Sequence, residues 1–256
     1  MSNLFWLTDE QMERLKPFFP RSHGKPRVDD RRVLSGIIFI NRNGLRWCDA
    51  QREYGPPKTL YNRWKRWGDM GVFARMMEGL ASEGGEEKVV MIDATYLKAH
   101  RTASSLRAKK GGPDDLRGRL IGRTKGGLNT KLHAVTDAKG RPLKFFMTAG
   151  QVSDYTGAAA LLGSLPAAEW MIADRGYDAD WFRDALKDKG IRPCIPGRKS
   201  RGKAVRYDKR RYQRRNRIEI MFGRLKDWRR VATRYDRCAT TFLSAIALAA
   251  TVIFWL

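Results

Sequence analysis

Apolar residues recur at helical spacing through the first third of the chain. Thr8 stands where an N-cap belongs, Gln11 follows three residues on, and Met12, Leu15, Phe18 and Phe19 come before Pro20. The spacing predicts a second helix that starts at Asp29 or Asp30, carries Val33, Leu34, Ile37 and Ile38, and ends near Asn43-Gly44. From Trp47 the pattern predicts a short helix to Tyr54, a Gly55-Pro56-Pro57 turn, an N-cap at Thr59 and a helix stopping at Gly68. A helix, a tight turn and a helix bearing Arg63, Lys65 and Arg66 outline a helix-turn-helix, whose second helix enters a major groove. A plain helical bundle with solvated basic faces fits the same pattern.

Past SEGGEE (82 to 87) the period changes, so the chain divides into a helical domain at 1–82, a linker at 83–88 and a second domain at 89–256. VVMID (89 to 93) is a β-rich apolar run, and LNTKLHAVTD (128 to 137) alternates before turning at Gly140-Arg141 into PLKFFMTAG (142 to 150), which predicts a hairpin. A helix from Asp154 or Tyr155 to Leu165, a strand at 169–174, a helix at 178–190 and a strand at 191–196 follow. Strands first antiparallel, then alternating with helices, indicate a mixed α/β sheet flanked by helices. A basic loop at 197–209 leads to a predicted helix from Lys209 to Trp228 and an apolar tail, Phe242 to Leu256. Those 15 residues fall short of the ~20 a helix needs to cross a bilayer, so the tail is expected to be a core helix.

Charge narrows the partner. The 256 residues hold 51 Lys plus Arg and 27 Asp plus Glu, a net charge of +24. A hydrophobic fraction of 42% with eight Trp excludes a disordered basic tail. Residues 1–88 carry only +4 of the excess and residues 89–256 carry +20. Arg192 to Arg237 alone holds 18 basic and four acidic side chains. A solvated face usually mixes signs, so this excess points to phosphate contact rather than mere solubility. Cys48, Cys194 and Cys238 form no CxxC pair, and His23, His100 and His133 have no zinc-ligand spacing. With no secretory pattern at the N-terminus, a reducing cytoplasm is expected.

The candidate chemistry lies where strands are expected to stop. Asp93 ends one apolar run and Asp174 another, and a carboxylate at a strand's carboxyl end points into the crevice where α/β sheets bind ligands. Glu219 is the only acid between Asp208 and Asp227, set among Arg214, Arg215, Arg217 and Arg224. Its alternatives are an intrahelical salt bridge to Arg215 or a carboxylate aimed at the two aspartates. Three carboxylates inside a positive surface suit two Mg²⁺ ions clamping a phosphodiester, with Mn²⁺ able to substitute. Asp178 and Asp180 look like helix caps, Asp137 a hairpin-turn residue, and Asp114-Asp115 loop residues.

The spacing Y-x2-R-x3-E-x6-K over Tyr212, Arg215, Glu219 and Lys226, with VVMIDAT and IADRGYD, resembles a bacterial insertion-sequence transposase with a DDE triad. GRTKGGLNTKLHAVTDAKGRPL (122 to 143) is similar to the second strand and hairpin of the insertion-sequence-five family. That resemblance implies a ribonuclease-H-like core, with Asp93, Asp174 and Glu219 as metal ligands. It implies cleavage at terminal inverted repeats, freeing 3′-OH ends that join target DNA, with Tyr212, Arg215 and Lys226 contacting DNA near the cut. Arg123, Lys125 and Lys131 border the second strand as further candidate phosphate contacts. Joining paired ends predicts a homodimer or larger assembly on double-stranded DNA, associated with the nucleoid and not with a membrane. A DNA-binding repressor without catalysis and a nuclease that only hydrolyses remain alternatives.

Overall fold

The computed structural model describes residues 4–20, 29–85, 88–105 and 118–256. Asp114-Asp115, His23 and part of the 83–88 linker lie outside the described residues. The N-terminal region is helical. Helix α1 (Asp9–Leu15) opens on the expected capping box, with the Gln11 N–H donating to Thr8 Oγ1 at 3.1 Å and the Thr8 N–H to Gln11 Oε1 at 3.0 Å. Helix α2 (Asp30–Asn43) ends at Gly44, whose φ of +65° suits a residue without Cβ. The predicted short helix before Tyr54 is instead two 3₁₀ turns, Trp47–Asp49 and Arg52–Tyr54. Helix α3 (Pro57–Asp69) starts two residues before Thr59, because proline at its first turn has φ already set and no N–H to leave unpaired. Gly68 stays inside α3, and helix α4 (Val72–Ser82) follows at once.

A seven-stranded mixed sheet forms the second part. Its strands are β1 (Val89–Ala99), β2 (Gly122–Thr124), β3 (Gly127–Thr136), β4 (Pro142–Ala149), β5 (Trp170–Ala173), β6 (Arg192–Cys194) and β7 (Thr233–Arg234). The order is β2-β3-β1-β5-β6, with β4 also on β3 and β7 on β1. The β3–β4 hairpin forms as expected, and Asp137 in its turn accepts the N–H groups of Lys139 and Arg141 at 2.8 and 2.7 Å. Strand β1 runs antiparallel to β3 and parallel to β5 and β6, giving the ribonuclease-H-like mixed sheet. Between and after these strands come α5 (Arg101–Ser104), α6 (Asp154–Leu162), α7 (Asp180–Asp188), α8 (Lys209–Tyr212), α9 (Asn216–Lys226), α10 (Arg229–Ala232) and α11 (Ala239–Phe254). The single helix expected from Lys209 to Trp228 is therefore broken by a 3₁₀ turn at Gln213–Arg215.

Helix α6 covers one face of the sheet and α9 the other. On the α6 face a Cβ on Gly157 would meet His133 Nδ1 at 2.1 Å, so only glycine admits this approach. His133 is buried, bonds Thr148 Oγ1 at 3.0 Å, and burial lowers its pKa to about 4. It belongs to the core. The tail helix α11 is buried from Phe242 through Thr251 except Leu243, and packs on α4, α3, α2 and β4. Its apolar face joins the N-terminal helices and the sheet in one continuous hydrophobic core. Among the described residues no helix is long and apolar enough to cross a membrane.

Candidate active site

Asp93 does not end its strand: β1 continues six residues beyond it, to Ala99. What stops near Asp93 is the parallel pairing with β5. The register joins Ile92 to Ala173, so Asp93 and Asp174 are the next residues on adjacent parallel strands. Apolar length alone missed this, because β1 continues as a polar, half-exposed ribbon paired only with β3 and β7. Asp174 leaves β5 and caps the 3₁₀ turn Arg175–Tyr177, accepting the Gly176 N–H at 2.8 Å.

Glu219 comes to this point on α9, which seats Ile218, Met221, Phe222 and Leu225 in the core. Arg215 joins the two elements: Nη1 donates to Asp93 Oδ2 and Nη2 to Glu219 Oε1, each at 2.5 Å. The intrahelical salt bridge to Arg215 is present, and the same Arg215 also bonds Asp93. Burial pushes the Asp93 carboxyl up to about 6, with the charges of Asp174 and Glu219 adding to the rise and the Arg215 guanidinium and Ala94 N–H opposing it. Burial alone would lower the Arg215 pKa, but Asp93 and Glu219 hold it above its ordinary value. One helical stretch further along, Lys226 Nζ donates to Thr95 Oγ1 at 2.8 Å, two residues from Asp93 on the same strand face. Tyr212 packs its ring against Tyr207 at 5.5 Å, and burial raises its hydroxyl's pKa.

The carboxylates gather around a guanidinium; among the described residues no three His, Cys, Asp or Glu side chains stand close enough together to hold a metal ion. Their chemistry nonetheless suits one. All are hard oxygen donors, Asp93 is mostly buried and paired with the Arg215 guanidinium, and among the described residues the buried Tyr177 hydroxyl, which feels the charges of Asp93 and Asp174, has no hydrogen-bond partner.

The other basic candidates separate into inward and outward groups. Lys131 is only 5% exposed, with Nζ donating to Val152 O at 2.5 Å and Asp154 Oδ1 at 3.1 Å. It was expected at the phosphate backbone, but its position in the middle of β3, on the face under α6, turns it inward. Arg63 pairs with Asp30 at 3.3 Å and lies over the Trp67 ring. Lys65 pairs with Asp69, while Arg66, Arg123 and Lys125 are exposed. In the basic segment Arg234 is fully buried, donates to Asp236 O, Arg237 O and Thr130 Oγ1, and has its pKa lowered by burial to about 10. Lys203, Arg206, Lys209, Arg210 and Arg214 remain exposed.

The sequence around Asp178 predicts a helix cap, but the cap position of α7 is Ala179. Asp178 is a buried hub that accepts Arg183 Nε at 2.8 Å, Arg201 Nε at 3.0 Å and the Arg198 N–H at 2.7 Å. Arg198 in turn donates to the carbonyls of Arg175 and Gly176, clamping the basic loop to the turn after Asp174. No local pattern reveals this hub, because its partners lie five to 23 residues away.

Residues 7–77 match a family described as "Putative transposase of IS4/5 family", and residues 171–256 match the "Transposase DDE domain". The chain is 37% identical over 130 residues to a Brucella ovis protein named "Putative transposase for insertion sequence element IS6501", covering 50% of this chain and 99% of the relative. It is 31% identical over 182 residues to the corresponding IS402 protein of Burkholderia cepacia, covering 60% and 83%. The fold is similar to the piggyBac transposase in its synaptic complex with hairpin DNA, with a TM-score of 0.52 and 7% identity over 97% of this chain and 72% of that one. Nearly the whole Brucella relative is spanned and both ends of the chain match transposase families, so the chain belongs to the DDE insertion-sequence transposases of the IS4/5 family.

Proposed function

We propose that this transposase binds the terminal inverted repeats of its insertion sequence, cleaves the ends by divalent-metal-dependent phosphodiester hydrolysis, and joins the freed 3′-OH ends to target DNA. The observation that carries the reading is the placement of Asp93 and Asp174 one residue past Ile92 and Ala173, the last paired positions of adjacent parallel strands, with Glu219 linked to Asp93 through Arg215. Asp93, Asp174 and Glu219 would hold the metal, two Mg²⁺ ions in this reading, with Mn²⁺ substituting. When bound, such ions supply a nucleophilic water and Lewis-acid stabilisation of the phosphoryl oxygens.

The chain's own groups do the rest. Tyr212, Arg215 and Lys226 line the approach to the carboxylates and hold the DNA strand near the cut. The exposed Lys203, Arg206, Lys209, Arg210, Arg123 and Lys125 neutralise flanking phosphates, so affinity falls with salt at a slope of about −0.9 per phosphate contact on duplex DNA. In the 1–82 region, the outer face of α3 presents Lys58, Tyr61, Asn62 and Arg66 to a duplex groove. The 89–256 region carries the chemistry, and two copies act on paired ends.

Labelled DNA carrying the element's own ends tests this, incubated with Mg²⁺ or with EDTA and with the native chain or Glu219→Gln. The reading requires cutting and joining by the native chain with Mg²⁺ only, and binding without cutting by Glu219→Gln. Cutting without joining leaves a nuclease; equal binding with no cutting by either protein leaves a DNA-binding regulator.

A further inference from the structure

Arg215 stands out among the motif cations because of what it holds. Its two terminal nitrogens occupy Asp93 Oδ2 and Glu219 Oε1, both at 2.5 Å, so one planar guanidinium bridges two carboxylates with a separate nitrogen for each. Lys226, by contrast, donates to the neutral Thr95 hydroxyl and, among the described residues, pairs with no carboxylate. A divalent ion bound by Asp93 and Glu219 would sit against the same two carboxylates, and two cations cannot share them at contact distance without strong repulsion. Arg215 lies on the 3₁₀ turn Gln213–Arg215 that joins α8 to α9, and its side chain is 20% exposed. A long side chain at such a partly open joint reaches solvent by rotation of its own torsions, with no movement of α9.

We propose that Arg215 is the exchangeable occupant of the carboxylate cradle: its guanidinium holds Asp93 and Glu219 together until a divalent cation takes them, and the released arginine then meets a DNA phosphate. The inference rests on the assignment of these carboxylates as the metal cradle. Its consequence is reciprocal coupling. DNA that engages Arg215 removes the metal's competitor, and metal that displaces Arg215 offers DNA a free guanidinium, so each ligand tightens the other by the same factor. Without DNA ends the cradle stays filled by the chain's own cation.

Mn²⁺ titration of the full chain without DNA, read from the electron paramagnetic resonance signal of the free ion, tests the competition. Arg215→Gln should bind Mn²⁺ on the order of tenfold more tightly than the native chain, within the ordinary range of coupling energies. Arg215→Lys, which keeps the charge but replaces two fixed nitrogens on separate carboxylates with a single ammonium, should fall between them. Arg214→Gln, the same charge change one residue away on an exposed side chain, should shift affinity by less than about twofold, as expected of a screened surface charge. Saturating duplex carrying the element's ends should tighten Mn²⁺ binding to the native chain and leave Arg215→Gln unchanged. Arg215→Gln binding no more tightly than native, or Arg214→Gln matching it, overturns the exchange while Asp93-dependent binding keeps the metal cradle intact. If Mn²⁺ binding to Arg215→Gln survives the further change Asp93→Asn, the cradle assignment itself falls, and the exchange with it.

Discussion

Asp178 closes the turn that follows β5 and Asp93 lies on the adjacent strand β1; both face arginines, yet they are held differently. Asp178 has a fully buried carboxylate that accepts two guanidinium nitrogens and one backbone N–H. Burial alone would raise its pKa, but these donors from Arg198, Arg183 and Arg201 hold it below the ordinary carboxylate value. Asp93 is 15% exposed, has one guanidinium and one backbone N–H, and is pushed up to about 6. The burial penalty is overcome at Asp178 and not at Asp93. A saturated carboxylate is a structural lock; an undersatisfied one facing two further acids has an unmet demand for positive charge.

The largest expected effect separates the two by function. Asp93→Asn should lower DNA joining on the order of 10⁴-fold, about 5 kcal/mol of transition-state stabilisation, while leaving the thermal midpoint at or above the native one. The ionised carboxylate opposes folding at neutral pH, because folding raises its pKa. A strand-transfer assay and a thermal melt on the same preparation check this. Should Asp93→Asn melt well below native, Asp93 would be a structural residue like Asp178.

Asp178→Asn should instead cost about 4 kcal/mol of folding stability, because it strips a buried partner from Arg183 and Arg201. Urea unfolding of the two variants side by side measures the contrast. It should also loosen the Arg198 contacts with the carbonyls of Arg175 and Gly176, which amide exchange across 174–178 would register as lost protection.

Acid titration offers a smaller, signed test against His133 on the opposite sheet face. Unfolded, His133 takes a proton below about 6.5, while folded it stays neutral to about 4, so its contribution is present above pH 6.5 and is lost as pH falls toward 4. Asp93 acts oppositely. Folded, it is protonated below about 6 and unfolded only near 3.8, so stability rises as pH falls through that window. Each amounts to about 3 kcal/mol at the limit, from ~1.4 kcal/mol per pKa unit, and in the native chain they offset. Urea unfolding at several values between pH 4 and 6.5 should show Asp93→Asn losing stability more steeply toward acid than native, and His133→Gln gaining it. Parallel slopes in all three proteins would remove Asp93 from its undersatisfied position.

Much of this was legible in the sequence where the signal is local. The Thr8 capping box, the Gly44 stop, the β3–β4 hairpin and the buried tail helix each follow from residues within one element. So did the reach from Arg215 to Glu219, since four residues on a helix share a face. What escaped was set by partners distant in sequence. Strand β1 extends past its apolar run because β3 supplies hydrogen bonds for its polar half. Lys131 looks like any strand lysine until Val152 and Asp154 enclose its ammonium. Asp178 has a helix-capping sequence around it, yet the loop at 198–201 folds back and claims the carboxylate. Charge counting likewise could not separate Arg234, a buried tether, from the exposed arginines beside it.

Glu219 supplies the smallest effect. Its side chain is 54% exposed and makes one ion pair, to Arg215. An exposed pair of this kind contributes little, because water and salt screen the attraction and two long side chains lose freedom to make it. Glu219→Gln should therefore change unfolding free energy by no more than about 0.5 kcal/mol, the range of ordinary surface changes. Arg215 would still hold Asp93, which is why the loss stays small. The three carboxylates then rank in stability by how fully each is satisfied in the fold, Asp178 far above the other two. If Glu219→Gln cost as much as Asp178→Asn, the Arg215 bridge would be a structural lock in its own right, and the contrast between Asp178 and the carboxylates that Arg215 joins would collapse.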